Sequence, residues 1–284
     1  MQLFHTLREL RAFLANQPQQ RVGLVPTMGN LHAGHCQLVT LAKTHADVVV
    51  VSIFVNPLQF GANEDFASYP RTLAADCEKL QAVGADVVFA PAVTEMYADF
   101  DGQHLHQQVV VQPPALADDL CGASRPGHFA GVATVVTKLF HMVKPQVAVF
   151  GRKDYQQWMV VRAMVRQLNF DIEVVAGETV REPSGLAMSS RNGYLTAAEK
   201  TQATQLYQQL GRIKEALLTG RRDYAVLCDQ ARLWLTQQGW QVDYVEIRCQ
   251  HTLCLPDAQS HDWVILIAAK LGNTRLIDNC EVSL

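Results

Sequence analysis

The chain is short of positive charge, of long apolar runs and of paired cysteines, and each shortage closes off a class of function. Lysine and arginine number 24 against 27 acidic residues, giving a net charge of −3, and no basic run occurs anywhere in the 284 residues. Tight binding to a nucleic-acid backbone draws on clustered cations, so no nucleic-acid partner is expected. No uninterrupted apolar stretch approaches the roughly 20 residues of a spanning helix, so no membrane role is expected. The opening Met1-Gln2-Leu3-Phe4-His5-Thr6 has no basic segment followed by an apolar block, and export is not indicated. The seven cysteines stand apart with no Cys-x-x-Cys spacing. Neither a disulfide framework nor a zinc ribbon is implied, and reduced thiols in a cytoplasmic protein are the expectation.

What is present is an ordinary globular composition, with 49% hydrophobic residues, enough for a sizeable core. Thr6 to Glu9 reads as a capping box, and Leu7, Leu10 and Leu14 mark one helical face. Strand-like runs follow at Arg21–Pro26, Asp47–Val55, Asp86–Ala90 and Gln146–Phe150. The second is β-branched and apolar almost throughout, as expected of a central parallel strand covered on both faces. Helical patterns lie between them, near Gly34–His45, Thr72–Val83, Gly131–Val143 and Asp154–Leu168. This alternation predicts an α/β fold, a doubly wound parallel sheet of Rossmann-like type over residues 1–178. After a boundary between Ala176 and Glu182 the character changes. A capping box at Thr196 to Glu199 opens a long amphipathic helix ending at Gly220, a helix spans Asp223–Gln238, and three strands close the chain. Residues 179–284 are therefore predicted to form a smaller C-terminal α+β domain.

The most informative stretch is Pro26-Thr27-Met28-Gly29-Asn30-Leu31-His32-Ala33-Gly34-His35, between a strand and a helix. Two histidines three residues apart on a first helical turn, beside unpaired backbone N–H groups, suit a triphosphate. Each imidazole can donate a hydrogen bond, and Gly34 leaves room for a nucleotide to approach the backbone. His32-x-Gly34-His35 after such a strand resembles the signature of the nucleotidyltransferase superfamily.

Four further segments carry polar side chains at the carboxyl ends of predicted strands or beside the domain boundary. Phe54-Val55-Asn56-Pro57-Leu58-Gln59-Phe60-Gly61 offers Asn56 and Gln59 to a polar substrate, although Asn-Pro turn chemistry accounts for the same residues. Gly151-Arg152-Lys153-Asp154-Tyr155-Gln156-Gln157 points Lys153 toward phosphates and puts Gln157 on a first helical turn, with Asp154 as an N-cap. Met188-Ser189-Ser190-Arg191-Asn192 supplies two hydroxyls and a guanidinium able to grip phosphate oxygens as a mobile clamp. Arg125-Pro126-Gly127-His128-Phe129-Ala130-Gly131-Val132 is either a pocket wall or a well-specified loop, the former being preferred. Asp76, near Tyr69-Pro70-Arg71, is a candidate to hold magnesium through water, or else an exposed helical carboxylate.

In order and along nearly the whole chain, these segments are similar to the pantothenate synthetase family. The resemblance implies that ATP, pantoate and β-alanine give pantothenate, AMP and pyrophosphate through a pantoyl adenylate, with Mg2+ and in a homodimer. It implies an ATP site made of Met28, Gly29, Asn30, Leu31, His32, Ala33, Gly34 and His35, completed by Gly151, Arg152, Lys153, Asp154, Val180, Met188, Ser189, Ser190 and Arg191. His32, His35, Lys153 and Arg191 would be its catalytic residues, with His35 as general acid. Gln59 and Gln157 would hydrogen-bond pantoate, and Gln59 would also face β-alanine. Ala75 precedes Asp76 where relatives have a second acidic residue, and Arg152 stands where glutamate is frequent. The smaller domain is expected to be a lid, its Met188–Arg191 segment closing over ATP.

Overall fold

The computed structural model describes every residue except 62, 63, 103 and 258. In chain order it contains β1 (Gln2–Phe4), α1 (Leu7–Ala15), β2 (Val22–Thr27), α2 (Ala33–Lys43), β3 (Val48–Ile53), α3 (Leu73–Ala82), β4 (Val87–Phe89), α4 (Val93–Met96) and α5 (Cys121–Ser124). There follow α6 (His128–Val143), β5 (Val147–Gly151), α7 (Tyr155–Gln167), β6 (Glu173–Gly177), α8 (Ala197–Ala203), α9 (Gln205–Leu218), α10 (Tyr224–Gln237), β7 (Gln241–Cys249), β8 (Asp262–Leu271) and β9 (Thr274–Ser283).

Six strands form one parallel sheet in the order β1-β4-β3-β2-β5-β6. The chain runs outward from β2 through β3 to β4, then crosses back to β5 on the other side of β2. The carboxyl ends of β2 and β5 are therefore a topological switch point, where doubly wound sheets bind ligands. The β-branched run of β3 is buried because both faces are covered. Val49 and Val51 pack with Leu38, Val39 and Ala42 of α2 on one side, and Val50 packs with α6 and α7 on the other. Both capping boxes form, at Thr6–Glu9 and Thr196–Glu199.

The last three strands make a separate antiparallel sheet, β7-β8-β9. Strand β8 is the hinge of its packing: Trp263, Ile265, Ile267 and Ala269 face α9 and α10, while Val264, Leu266 and Ala268 join the core beneath α6 and α7. The elements depart from expectation in four places. The helix expected from Gly131 begins at His128, the long helix after Thr196 is two, α8 and α9, and the short edge strands β1 and β6 offer too little periodicity to read. All three C-terminal strands run longer than their apolar patterns, since pairing continues through polar residues.

Candidate active site

A cleft of about 200 Å³ opens at the switch point. Met28, His32, Gly34 and His35 line it from the loop after β2, Gln59 from the turn after β3, and Gly151, Lys153, Asp154 and Gln157 from the turn after β5. Val180, Met188, Ser189, Ser190 and Arg191 close its remaining side. The four residues expected to carry the chemistry, His32, His35, Lys153 and Arg191, thus face one cavity from three separate segments. Val132, Val135, Val136 and Leu139 of α6 give it an apolar floor, so the Arg125–Val132 segment contributes its last residue as wall.

The two imidazoles are held by the helix they introduce. His32 is the N-cap of α2 rather than a residue on its face, and its Nδ1 accepts from the Gly34 amide at 3.1 Å. His35 Nδ1 accepts from the His32 amide at 3.3 Å. A backbone amide can only donate, so both rings carry their proton on Nε2. Burial lowers the pKa of His32 to about 3 and of His35 to about 4, and the Lys153 charge pushes both the same way. In the ligand-free site at neutral pH both are therefore uncharged hydrogen-bond donors. Gly34, which lines the cleft, also makes room for the His32 imidazole: a Cβ there would lie 2.9 Å from that ring.

The rest of the loop is fixed by Asp76, which is fully buried. Its carboxylate accepts from the amides of Asn30 at 2.9 Å and Leu31 at 2.8 Å and from Thr72 Oγ1 at 3.0 Å. Gly29 adopts φ +82°, a left-handed turn that glycine takes without a Cβ penalty. Both Asp76 oxygens are spent on the loop and neither faces the cleft, so the expected metal-binding role is corrected to a positioning one. Leu31 puts its side chain in the core, and Asn30 turns away to the clamp segment. Asn30 Nδ2 donates to the Ser190 carbonyl at 3.1 Å, and Ser190 Oγ donates to the Asn30 carbonyl at 3.1 Å. Ala33, like Gly29, Asn30 and Leu31, is not among the cleft-lining side chains.

Asn56 is also corrected. It is buried, and its amide donates to Gln59 Oε1 and to the Gly131 carbonyl, each at 3.1 Å. Its Oδ1 accepts from Tyr97 Oη at 2.6 Å and the Leu58 amide at 3.3 Å. Asn56 does line the cleft, but with every polar site engaged its hydrogen bonds serve to hold Gln59. Gln59 retains an amide donating only to Met28 Sδ at 3.0 Å, a weak acceptor that a hydroxyl would outcompete. The Gln157 side chain makes no hydrogen bond among the described residues, which leaves its amide free for a ligand.

The turn after β5 divides its charges. Arg152 points away from the cleft and pairs with Glu281 at 2.7 Å and Glu178 at 2.9 Å, so it is a tie between domains and not a nucleotide contact. Lys153 and Asp154 face inward, and neither side chain has a hydrogen-bond or ion-pair partner among the described residues. Asp154 sits at the N-cap of α7 but makes no capping bond, contrary to expectation. Arg191 is paired with Asp65 at 2.8 and 3.1 Å. Sequence reasoning missed that partner, and it missed Tyr69 as a lining residue of rank equal to the motif residues, because neither position lies at a strand end.

A family model described as pantoate–β-alanine ligase matches residues 2–281. The chain is 59% identical over 283 residues to the pantothenate synthetase of Thiobacillus denitrificans, covering 100% of this chain and 98% of that protein. It is 54% identical over 284 residues to that of Neisseria meningitidis, covering both chains fully. Among solved structures it matches pantothenate synthetase from Thermus thermophilus with a TM-score of 0.92, 44% identity and 100% coverage of both chains. It also matches the ligase from Francisella tularensis, solved with β,γ-ATP and β-alanine, with a TM-score of 0.79, 33% identity and coverage of 99% and 97%. Matched by the family model over residues 2–281, and by full-length relatives in sequence and in fold, this chain belongs to the pantoate–β-alanine ligase family.

Proposed function

We propose that the cleft carries out ligation in two steps, with pantoate activated as an adenylate before β-alanine arrives. A carboxylate is a poor acylating agent because its leaving group would be oxide. Attack of a pantoate carboxylate oxygen on the α-phosphorus of ATP forms a P–O bond and breaks the bond to pyrophosphate, which departs. The neutral amine of β-alanine then attacks the acyl carbon, AMP leaves on its phosphate oxygen, and the new ammonium loses a proton to give the amide. Little covalent chemistry is asked of the protein, so positioning and charge neutralisation dominate.

The roles follow from the site. Lys153 and Arg191 supply the positive charge for the departing pyrophosphate, while Nε2–H of His32 and of His35 donates neutral hydrogen bonds to phosphate oxygens. Gln59 and Gln157 match the hydroxyls of pantoate, for which neutral amides suffice. The nucleotide enters as its magnesium complex. Asp154 fits that ion, being an unpartnered carboxylate at the phosphate end of the cleft; it would hold Mg2+ together with phosphate oxygens and water, and the ion would neutralise phosphate charge. Closure of Ser189–Arg191 over the nucleotide would keep water from the adenylate, and the enzyme would work as a homodimer.

One observation carries this reading: two neutral imidazoles, one lysine and one arginine from three distant segments converge on a single cleft at the switch point. The deciding experiment supplies ATP, Mg2+ and pantoate and follows AMP with and without β-alanine. Amine-dependent AMP release is expected, together with pantoate-dependent exchange of pyrophosphate into ATP. ADP as the product, or no exchange, would refute adenylation.

A further inference from the structure

Lys153 and Arg191 stand on separate backbone segments, and what sets the distance between them lies in the other domain. Strand β9 is an outer strand of the antiparallel sheet, with β8 as its one strand neighbour among the described residues. Its alternation sends Asn279 and Glu281 toward the turn after β5. Asn279 Nδ2 donates to the carbonyls of both Arg152 and Lys153, each at 2.9 Å. Glu281 accepts from Arg152 at 2.7 Å and from Tyr155 Oη at 2.7 Å. The Lys153 ammonium has no partner among the described residues, so the backbone that Asn279 grips decides where it points.

The residue just before Asn279 on the same strand faces the opposite way. Asp278 accepts from Arg181 through both oxygens, at 2.6 and 2.9 Å. Arg181 also donates to the carbonyls of Gly185 at 3.1 Å and Asn279 at 3.2 Å, and it lies 4.0 Å over the Tyr207 ring. Arg181 begins the hairpin that delivers the clamp: it bridges to Ala187, and the Met188 amide donates to the Val180 carbonyl at 2.9 Å. Asp278 and Asn279 are 4% and 6% exposed. Apolar residues would serve bare stability at least as well as a buried ion pair, whereas a satisfied polar network selects one geometry.

We propose that Asn279 and Asp278 are positioning residues for ligation: adjacent on one strand but facing opposite ways, they set the Lys153 turn and the Ser189–Arg191 loop at a fixed spacing across the triphosphate site. This rests on the two-step reading only for naming the triphosphate as what the cations meet.

The test is a double-substitution cycle on ligation turnover in the full-length enzyme, with Asn279→Leu, Lys153→Ala and the pair. Asn279→Leu alone is expected to lower kcat about 10- to 100-fold, the scale of a small misplacement, with the KM for β-alanine unchanged. In the Lys153→Ala background the same substitution is expected to cost less than about twofold, because no ammonium is left to misplace. Arg181→Lys, which cannot span both Asp278 oxygens, is expected to behave in the same way against Arg191→Ala. Losses that multiply in full in both backgrounds, or an unchanged kcat in Asn279→Leu, would overturn the proposal. If Asn279→Leu loses its native circular dichroism, Asn279→Ser, which keeps one donor, takes its place under the same criteria. Failure of the adenylate reading shows separately, as an unsubstituted enzyme without pyrophosphate exchange.

Discussion

At the scale of single residues, the buried histidines decide both rate and acid response. His35 has its Nδ1 tied to the backbone and its Nε2–H free, so His35→Ala removes a donor to the departing phosphate. Turnover is expected to fall roughly 10²–10³-fold, the range for one transition-state donor, while circular dichroism is unchanged. His128 lies behind Gln59, 8% exposed, with Nδ1 donating to the Gln59 carbonyl at 2.9 Å and Nε2 accepting from Arg125 at 3.0 Å. Burial first, then the Arg125 charge, lowers its pKa to about 4. The unfolded chain therefore takes up a proton near pH 6.5 that the folded one refuses until about pH 4. The stability it protects is full above pH 6.5 and falls as the pH drops toward 4, by about 3 kcal/mol at most. Denaturant midpoints measured from pH 7 to pH 4 should decline less steeply in His128→Gln than in the unsubstituted protein, and equal slopes would remove His128 from the acid response.

At the scale of elements, the loop between β2 and α2 is held from α3 as well as by its own short-range bonds. Asp76→Asn puts an amide donor against backbone donors, which should cost about 2–3 kcal/mol of stability and raise the KM for ATP. The dependence of rate on Mg2+ concentration is expected to stay as it is; a large rise in the Mg2+ requirement would restore Asp76 as a ligand. This is the kind of feature the sequence hides. Sheet class, strand centres and capping boxes were legible because they depend on local periodicity and short-range side-chain chemistry. The cleft was legible as far as strand ends follow from the sheet, which places His32, His35, Gln59, Lys153 and Gln157. What Asp76, Asn56 and Arg152 do was not legible. A polar side chain near a site reads the same whether it faces the ligand or a backbone amide, and only tertiary distance separates the two. Asn279 was silent for the same reason, since its partners lie far away in sequence on a turn of the other sheet.

At the scale of the whole molecule, residues 1–178 and 179–284 hold separate sheets, and each has an apolar cluster of its own, but a third cluster is shared between them. Tyr244, Val264, Leu266 and Ala268 pack into the same apolar cluster as Tyr155, Trp158 and Met159 of α7. Swinging the smaller unit as a rigid lid would strip water-excluded surface from both sides, at roughly 25 cal/mol for every Å² exposed. Closure over the nucleotide should therefore be local to the segment carrying Ser189, Ser190 and Arg191, whose ties to the other side, beside contacts of Ser190 and Arg191 with Tyr69, include the Asn30–Ser190 exchange and the Arg191–Asp65 pair. Both ties are polar and partly exposed, and such contacts open at lower cost than a packed core. Hydrogen exchange followed with and without ATP and pantoate is expected to slow at residues 188–192 while the amides of β8 keep their rate. Heating should give one cooperative transition, because parting the two units would uncover the face of β8 that carries Val264, Leu266 and Ala268. Two resolved transitions, or slowing spread evenly over β7, β8 and β9 on ligand binding, would show instead that the smaller domain moves as a body.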